Sequence, residues 1–225
     1  MINLIRFEKL IGSKQLELLK SARILVIGIG GVGGYVVESL VRSGIGHIHI
    51  VDHDKIEETN LNRQIIALHS TLGSYKVDVM KERIKDINPE ALVVSNNSFV
   101  DENNINDLVK DIYCVIDACD TVATKISIIK TCKEKNIPFI SCMGTGNKMD
   151  LTRLKIMDIR KTSYDPLAKK IRKFVKDNKI SGKVMVVCSD EERYSEVTKP
   201  IPSNLFVPAA AGLLISSYVI NEIIK

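Results

Sequence analysis

Tryptophan is absent from this 225-residue chain, and aromatic residues amount to only 5% of it. Single-strand binders stack successive bases on aromatic rings, so this scarcity argues against a base-stacking platform for single strands. Cysteine is sparse and odd in number: Cys114, Cys119, Cys132, Cys142 and Cys188 form no CxxC pair. That pattern argues against both a zinc ribbon and a disulfide framework, and it fits a reducing cytoplasm. Three of the five lie in apolar runs that read as strands, where a free thiol serves as a small core hydrophobe. No GxxxxGK[ST] loop is present, which excludes a P-loop enzyme. Internal repeats and low-complexity tracts are lacking as well. The first ten residues, MINLIRFEKL, carry charges and offer no signal-peptide apolar region with a small-residue cleavage site. Long uninterrupted apolar runs are also missing. The most apolar stretch, 206–224, contains Pro208, Ser216, Ser217 and the Asn221-Glu222 pair, so it does not read as a membrane span. A cytoplasmic protein is expected.

What is present is ordinary globular composition, 45% apolar and 26% charged, in a length that suits one large domain or a domain with an appended segment. The charge is uneven. Residues 153–183 hold eleven Lys/Arg against three acids, a local charge of +8 on a chain whose total is +5. A basic segment on an otherwise mildly acidic chain is how a polyanion-binding patch looks in sequence, although a solvated helix face has the same composition.

Apolar runs at 23–28, 47–51, 92–95, 113–117 and 138–142 read as strands, most of them buried on both faces. Between them, helical spacing occurs at 32–42, which Gly44 closes, at 74–87 with Pro89 just beyond, and at 121–135. Strands alternating with helices at this pitch predict a doubly wound, mostly parallel Rossmann-like α/β sheet with helices on both faces. After Gly146 the pattern changes to a weakly alternating strand at 149–159, a basic helix at 165–178, a strand at 183–188 and a small-residue-rich helix at 208–224. The expected division is a nucleotide-binding fold over 1–146 and an integrated substrate-side extension over 147–225. The extension adds a few antiparallel strands, the basic helix and a C-terminal helix suited to dimerisation.

The sharpest local signal is Gly28-Ile-Gly30-Gly31-Val-Gly33-Gly34, which follows a strand and opens a helix. Glycines there allow a tight turn and let backbone N–H groups approach a phosphate at the positive end of the helix. Asp52 stands at the tip of the next strand, where a carboxylate can accept hydrogen bonds from ribose hydroxyls. These features establish a nucleotide and leave its identity open, NAD included. The polar residues downstream discriminate. Asn60-Leu-Asn-Arg63-Gln64 lies in a loop after that strand, and Lys76 begins the following helix. Hydride transfer has little use for an Arg and a Lys aimed at the glycine loop, whereas charge building on a leaving pyrophosphate needs them. Asp117-Ala-Cys-Asp120 ends the fourth strand at the carboxyl edge where open sheets bind ligands. Two acids there suit Mg²⁺ with phosphate oxygens. For Asp117, capping of the next helix is an equal reading; for Asp120, metal binding is preferred.

Taken in order, GIGGVG, Asp52 to Asp54, NLNRQ, Lys76 and DACD resemble the adenylating enzymes related to the ubiquitin-activating enzyme, the ThiF/MoeB/HesA superfamily. The resemblance implies that Gly30, Gly31 and Gly33 cradle the phosphates of ATP and that Asp52 holds the ribose. It further implies that Asn60, Arg63 and Lys76 grip the triphosphate, that Gln64, Asp54, Gly28 and Asp117 line the nucleotide site, and that Asp120 binds Mg²⁺. In this superfamily an N-terminal arginine reaches into the partner subunit's site. Arg6 in RFEKLIG looks like that residue, ahead of Lys9, which implies a homodimer.

Members that activate ubiquitin-like proteins usually carry two CxxC zinc pairs, and this chain has none. The segments DPLAKKIR (165–172), VVCSDE (186–191) and PAAAGL (208–213) instead resemble the tRNA threonylcarbamoyladenosine dehydratase branch. That likeness implies ATP-dependent activation of a threonyl carboxylate in the anticodon loop, followed by ring closure from the neighbouring urea with loss of AMP. No enzyme thiol is needed, and Cys188 reads as a strand core residue. With a tRNA substrate, Arg153, Lys169, Lys170, Arg172 and Lys173 become candidates for phosphate contacts. A cysteine desulfurase or sulfur acceptor is a further possible partner of this branch. The alternative reading is a ThiF- or MoeB-like adenylyltransferase acting on the C-terminus of a small sulfur-carrier protein, and a third is an NAD-binding redox or sensor protein.

Overall fold

The computed structural model describes residues 2–196 and 198–225. Seven strands form a single sheet in the order β3-β2-β1-β4-β5-β7-β6. Their ranges are β1 Arg23–Ile27, β2 His47–Val51, β3 Leu92–Asn96, β4 Cys114–Asp117, β5 Phe139–Cys142, β6 Leu154–Asp158 and β7 Met185–Ser189. Six run parallel, and β6 alone pairs antiparallel, against β7. The extension after residue 146 therefore continues the same sheet: β7 joins parallel to β5, and the antiparallel contribution is one strand at the edge. β1 is fully buried from Ile24 onwards and β4 throughout, which is why both read as unbroken apolar runs.

The helices are α1 Ile5–Ile11, α2 Ser13–Ser21, α3 Gly33–Arg42, α4 Lys76–Ile87, α5 Ile105–Leu108, α6 Val122–Glu134, α7 Pro166–Asp177 and α8 Phe206–Ile223. The sequence pattern locates all but α1, α2 and the single turn α5. On one face of the sheet α3, α4 and α8 bury the largest apolar cluster, with Val36, Leu40, Met80, Ile215 and Val219 among its members. On the other, α5 and α6 close a second cluster and α7 a third. Helix α7 shows the amphipathic logic plainly: Ala168, Ile171 and Val175, at helical spacing, are buried, while Lys169, Lys170, Lys173 and Lys176 are exposed.

Helix α8 is long and apolar enough, by length and composition, to cross a membrane. In this fold it lies on α3, where a Cβ at Gly212 would come within 2.6 Å of the Val32 carbonyl oxygen and 2.9 Å of Tyr35 Cβ. Ser216 donates its hydroxyl to the Val36 carbonyl at 3.2 Å. Gly212 and Ser216 thus pack within the chain, against α3.

The strand order places β1 between β2 and β4, and the crevice at the carboxyl ends of β1 and β4 is the topological switch point of the sheet. Gly28 leaves β1 with φ of 89°, and a Cβ there would sit 2.8 Å from the Ala118 carbonyl. A Cβ on Gly33 would meet the Gly28 oxygen at 1.7 Å. Only glycine lets α3 start this close to the end of β1.

Candidate active site

A cavity of about 590 Å³ opens at that switch point. Its floor is the glycine loop, with Gly28, Gly30 and Gly31 on the wall. The N–H groups of Gly30, Gly31 and Val32 take no acceptor among the described residues, and all three residues line the cavity, which leaves these groups available as donors to an anion. Gly33 is buried behind the loop and does not line the cavity; the structure assigns it to helix–strand packing instead of direct contact.

Asp52 projects from the end of β2 and is 8% exposed. One carboxylate oxygen accepts the Ile29 N–H at 2.6 Å and the other accepts the Asp54 N–H at 2.8 Å. The carboxylate thus fixes the glycine loop and the loop after β2 at once, and keeps lone pairs toward the cavity. Asp54 is paired with Lys76 at 2.7 Å, which holds that ammonium, itself largely buried, at the wall. Asp52, His53 and Asp54 lie close enough to suggest a cation, but the Lys76 ammonium already supplies the positive charge beside Asp54.

The loop between β2 and α4 supplies the polar wall. Asn60 is buried and accepts the Glu57 N–H at 3.1 Å, shaping the short 3₁₀ turn Glu58–Asn60. Arg63 lines the cavity with its guanidinium donating to the Thr59 carbonyl at 2.7 Å and to Asn62 Oδ1 at 2.9 Å. Gln64 is buried beside Gly30, and its Oε1 has no hydrogen-bond partner. A buried amide oxygen left unpaired is costly, so a polar ligand in the cavity would satisfy it. An anionic nucleotide fits this wall on two counts, open backbone donors and two cations at the wall, and a hydroxyl or amino group of its ribose or base is the kind of donor the orphaned Gln64 oxygen lacks.

Asp120 stands exposed at the cavity edge on the turn between β4 and α6, with no ion pair among the described residues, and so fits a divalent cation. Asp117 does not share that role. It is fully buried and outside the lining, and its Oδ2 pairs with Lys125 Nζ at 3.0 Å and accepts the Ser141 hydroxyl. Its Oδ1 accepts the Cys119 N–H at 3.2 Å, which sets the turn carrying Asp120. Sequence reasoning passed over Lys125, because a lysine in a helix ordinarily faces solvent; only tertiary packing brings it against a carboxylate eight residues earlier. Burial works against its charge, but the Asp117 carboxylate outweighs that and raises the Lys125 pKa.

The extension closes the other side, through residues not singled out in the sequence. Lys148 and Asp165 are both buried on the wall, and Lys148 donates to the Glu191 carbonyl. Asp165 caps α7 by accepting the Ala168 N–H at 2.6 Å, and burial pushes its carboxyl up from the usual range. The Asn147 side chain pairs in both directions with the Ser195 main chain, at 2.8 and 2.9 Å, fastening the loop before α8 over the cavity. Phe99 packs edge-on to His53, ring centroids 5.2 Å apart, at the β3 end.

Other expected residues fall outside the cavity. Arg6 is exposed on α1, away from its own chain's site. Arg153 is paired with Asp190, which it shares with Lys155, and the two cations hold that carboxyl at about 2. Arg172 is part-buried and donates to the Thr162 carbonyl at 2.8 Å and to its hydroxyl. Lys169, Lys170 and Lys173 are all exposed, and of the three only Lys169 lines a second cavity beside the site. Cys188 is buried in β7.

Comparison with known proteins agrees with this geometry. The ThiF family profile matches residues 3–220. The tRNA threonylcarbamoyladenosine dehydratase of Bacillus subtilis is 41% identical over 98% of this chain and 94% of its own length. The Escherichia coli protein of that name is 42% identical over 76% of this chain and 64% of its own. Crystal structures of the E. coli enzyme superpose with TM-scores of 0.92 in complex with ATP and 0.91 in complex with AMP, both at 36% identity. They cover 98% and 96% of this chain and 93% and 91% of theirs. With a switch-point cavity built from the glycine loop, Asp52, Arg63 and Lys76, and a profile spanning nearly its whole length, this chain belongs to the ThiF family.

Proposed function

We propose that this protein is an ATP-dependent tRNA threonylcarbamoyladenosine dehydratase. The observation that carries the reading is the convergence of Asp52, Asn60, Arg63, Gln64, Lys76 and Asp120 on one cavity in a chain 41% identical to a dehydratase over almost its full length. The threonyl carboxylate of the modified adenosine attacks the α-phosphate of ATP and pyrophosphate leaves. The neighbouring urea then displaces AMP from the activated carboxyl, closing a ring with net loss of one water.

The chain's residues serve this sequence in distinct ways. Backbone N–H groups of the glycine loop hold phosphate oxygens, and Asp52 receives the ribose hydroxyls. Arg63 and Lys76 leave their resting partners, the Thr59 carbonyl and Asp54, to neutralise charge on the departing pyrophosphate. Asp120 would hold Mg²⁺, which supplies charge neutralisation at the phosphates. Arg6, exposed on α1, reaches the site of a second copy in a homodimer; a mass in light scattering that stays monomeric at all concentrations would overturn that assignment. The nucleophile belongs to the substrate, so the buried thiols take no part. A cytoplasmic location follows from a tRNA substrate.

The test is nucleoside mass spectrometry on tRNA carrying threonylcarbamoyladenosine, incubated with the protein and ATP–Mg²⁺. Loss of one water that requires ATP supports the reading. An unchanged nucleoside despite ATP binding overturns it and shifts the substrate to a carboxylate on a protein, the adenylyltransferase alternative.

A further inference from the structure

We propose that a second cavity beside the nucleotide site seats one nucleotide of the RNA substrate, with Tyr164 as its base-stacking surface and Lys169 and Arg193 as its phosphate contacts. The inference rests on the RNA substrate argued above and adds where that RNA sits. This cavity, about 580 Å³, shares Tyr164, Asp165, Pro166 and Arg193 with the wall of the nucleotide pocket, so a group entering through it arrives next to the nucleotide.

Tyr164 adopts φ of 52°, in the left-handed region, and remains 58% exposed. The chain must reverse there to enter the Asp165 cap of α7, and glycine or asparagine would turn it with less strain. Of the non-glycine residues with positive φ, two are Asn, one is Asp and one is Lys, which leaves Tyr164 as the one aromatic among the described residues. The fold recovers nothing for it by burial, and the Tyr164 hydroxyl has no hydrogen-bond partner among the described residues. An uncovered ring held in a strained backbone at the rim of a site is the arrangement expected of a residue kept for its ligand.

The surrounding charges suit a phosphodiester. Lys169 lies on the α7 face that lines the cavity, one turn before Arg172, whose guanidinium is pinned by Thr162 as a fixed positive charge. Arg193 stands at the junction of the two cavities. Of the acids on this wall, Asp165 is turned into the start of α7 and Glu192 is exposed. The low aromatic content argued against a base-stacking platform, yet one ring suffices for one base, and only the tertiary structure shows where that ring stands.

The experiment measures binding of a fluorescently labelled anticodon stem-loop RNA to the full chain by anisotropy, with melting temperature and ATP affinity followed in parallel. Tyr164→Gly is expected to melt no lower than wild type, because glycine relieves the turn, and to bind RNA about tenfold or more weakly. Tyr164→Phe keeps the ring and is expected to bind RNA as wild type does. The double variant Lys169→Ala/Arg193→Ala is expected to flatten the salt dependence by about 1.4 in log–log slope, two single-strand phosphate contacts. Unchanged RNA affinity in Tyr164→Gly, or an unchanged salt slope in the double variant, overturns the proposal. The dehydratase reading is tested separately: Tyr164-dependent binding without dehydration by wild type sinks the chemistry and keeps the RNA seat. A wild type that binds no RNA sinks both.

Discussion

Lys125 Nζ and Asp117 Oδ2 lie 3.0 Å apart with neither side chain exposed to solvent, directly beneath the turn that presents Asp120 to the cavity. The lysine also donates to Ser141 Oγ at 3.1 Å and to the Cys142 carbonyl at 2.8 Å, so all three of its protons are placed. Removing one partner strands the other charge in the core. Lys125→Met is expected to lose about 3–5 kcal/mol of stability. Adding Asp117→Asn, which keeps an acceptor for the Cys119 N–H, is expected to restore more than half of the loss. Urea unfolding of the two single variants and the double gives the coupling; simple additivity would show that the pair is not interacting.

Glycines in this chain separate steric from conformational need. At Gly33 a Cβ would lie 1.7 Å from a backbone oxygen that cannot move without shifting β1, so Gly33→Ala is expected to destabilise by about 3 kcal/mol or more and to weaken ATP binding. At Gly73 φ is 81° but nothing lies within 4 Å, so Gly73→Ala is expected to lose only the left-handed penalty, about 1–2 kcal/mol, with ATP binding intact. Thermal melts with and without ATP compare the two. Equal losses at both positions would contradict the close approach of α3 to β1.

Arg63→Ala, Lys76→Ala and Asp120→Ala are each expected to lower turnover about 100-fold or more while leaving the fold intact. The three side chains sit at the cavity wall and none fills the core. Lys76→Ala also breaks the pair with Asp54 and empties a largely buried position, so it is expected to cost about 1–2 kcal/mol of stability while the chain stays folded. Circular dichroism establishes the fold and AMP release measures the rate. Wild-type rates in all three would remove this cavity from the chemistry.

Burial pushes the thiols of Cys114, Cys132, Cys142 and Cys188 up to about 12, and that of Cys119 well above its ordinary value. At pH 8 a thiol at 12 is ionised in about one molecule in ten thousand. The folded protein is therefore expected to resist iodoacetamide under conditions that alkylate it after denaturation, and to keep its activity. Rapid loss of activity on alkylation of the native protein would reopen a thiol role. Cys119 is the residue to inspect first, because it lines the cavity.

The amino-acid sequence alone determined the repeating βα units and the glycine loop at the first strand end, because local physics suffices there: apolar runs mark buried strands, and a tight turn into a helix start needs glycine. Asn60, Arg63, Lys76 and Asp120 stand out with the help of a motif resemblance, and the fold gathers them with Asp52 around one cavity. The helices α1 and α2 escaped that reading because they are short, and α1 buries no residue, so hydrophobic spacing has little to report. The orientation of β7 against β5 escaped it as well, since strand pairing is set by what lies across the sheet. Tertiary structure decided the rest. It moved Asp117 from the ligand to the core, tied Arg153 to Asp190 and Arg172 to Thr162, and brought Lys148, Tyr164 and Arg193 to a site begun at Gly28. Whether a charged side chain faces a ligand, a buried partner or water depends on how the chain packs around it, whether the partner is eight residues away, as for Asp117 and Lys125, or 37, as for Arg153 and Asp190, and spacing along the chain carries no record of that.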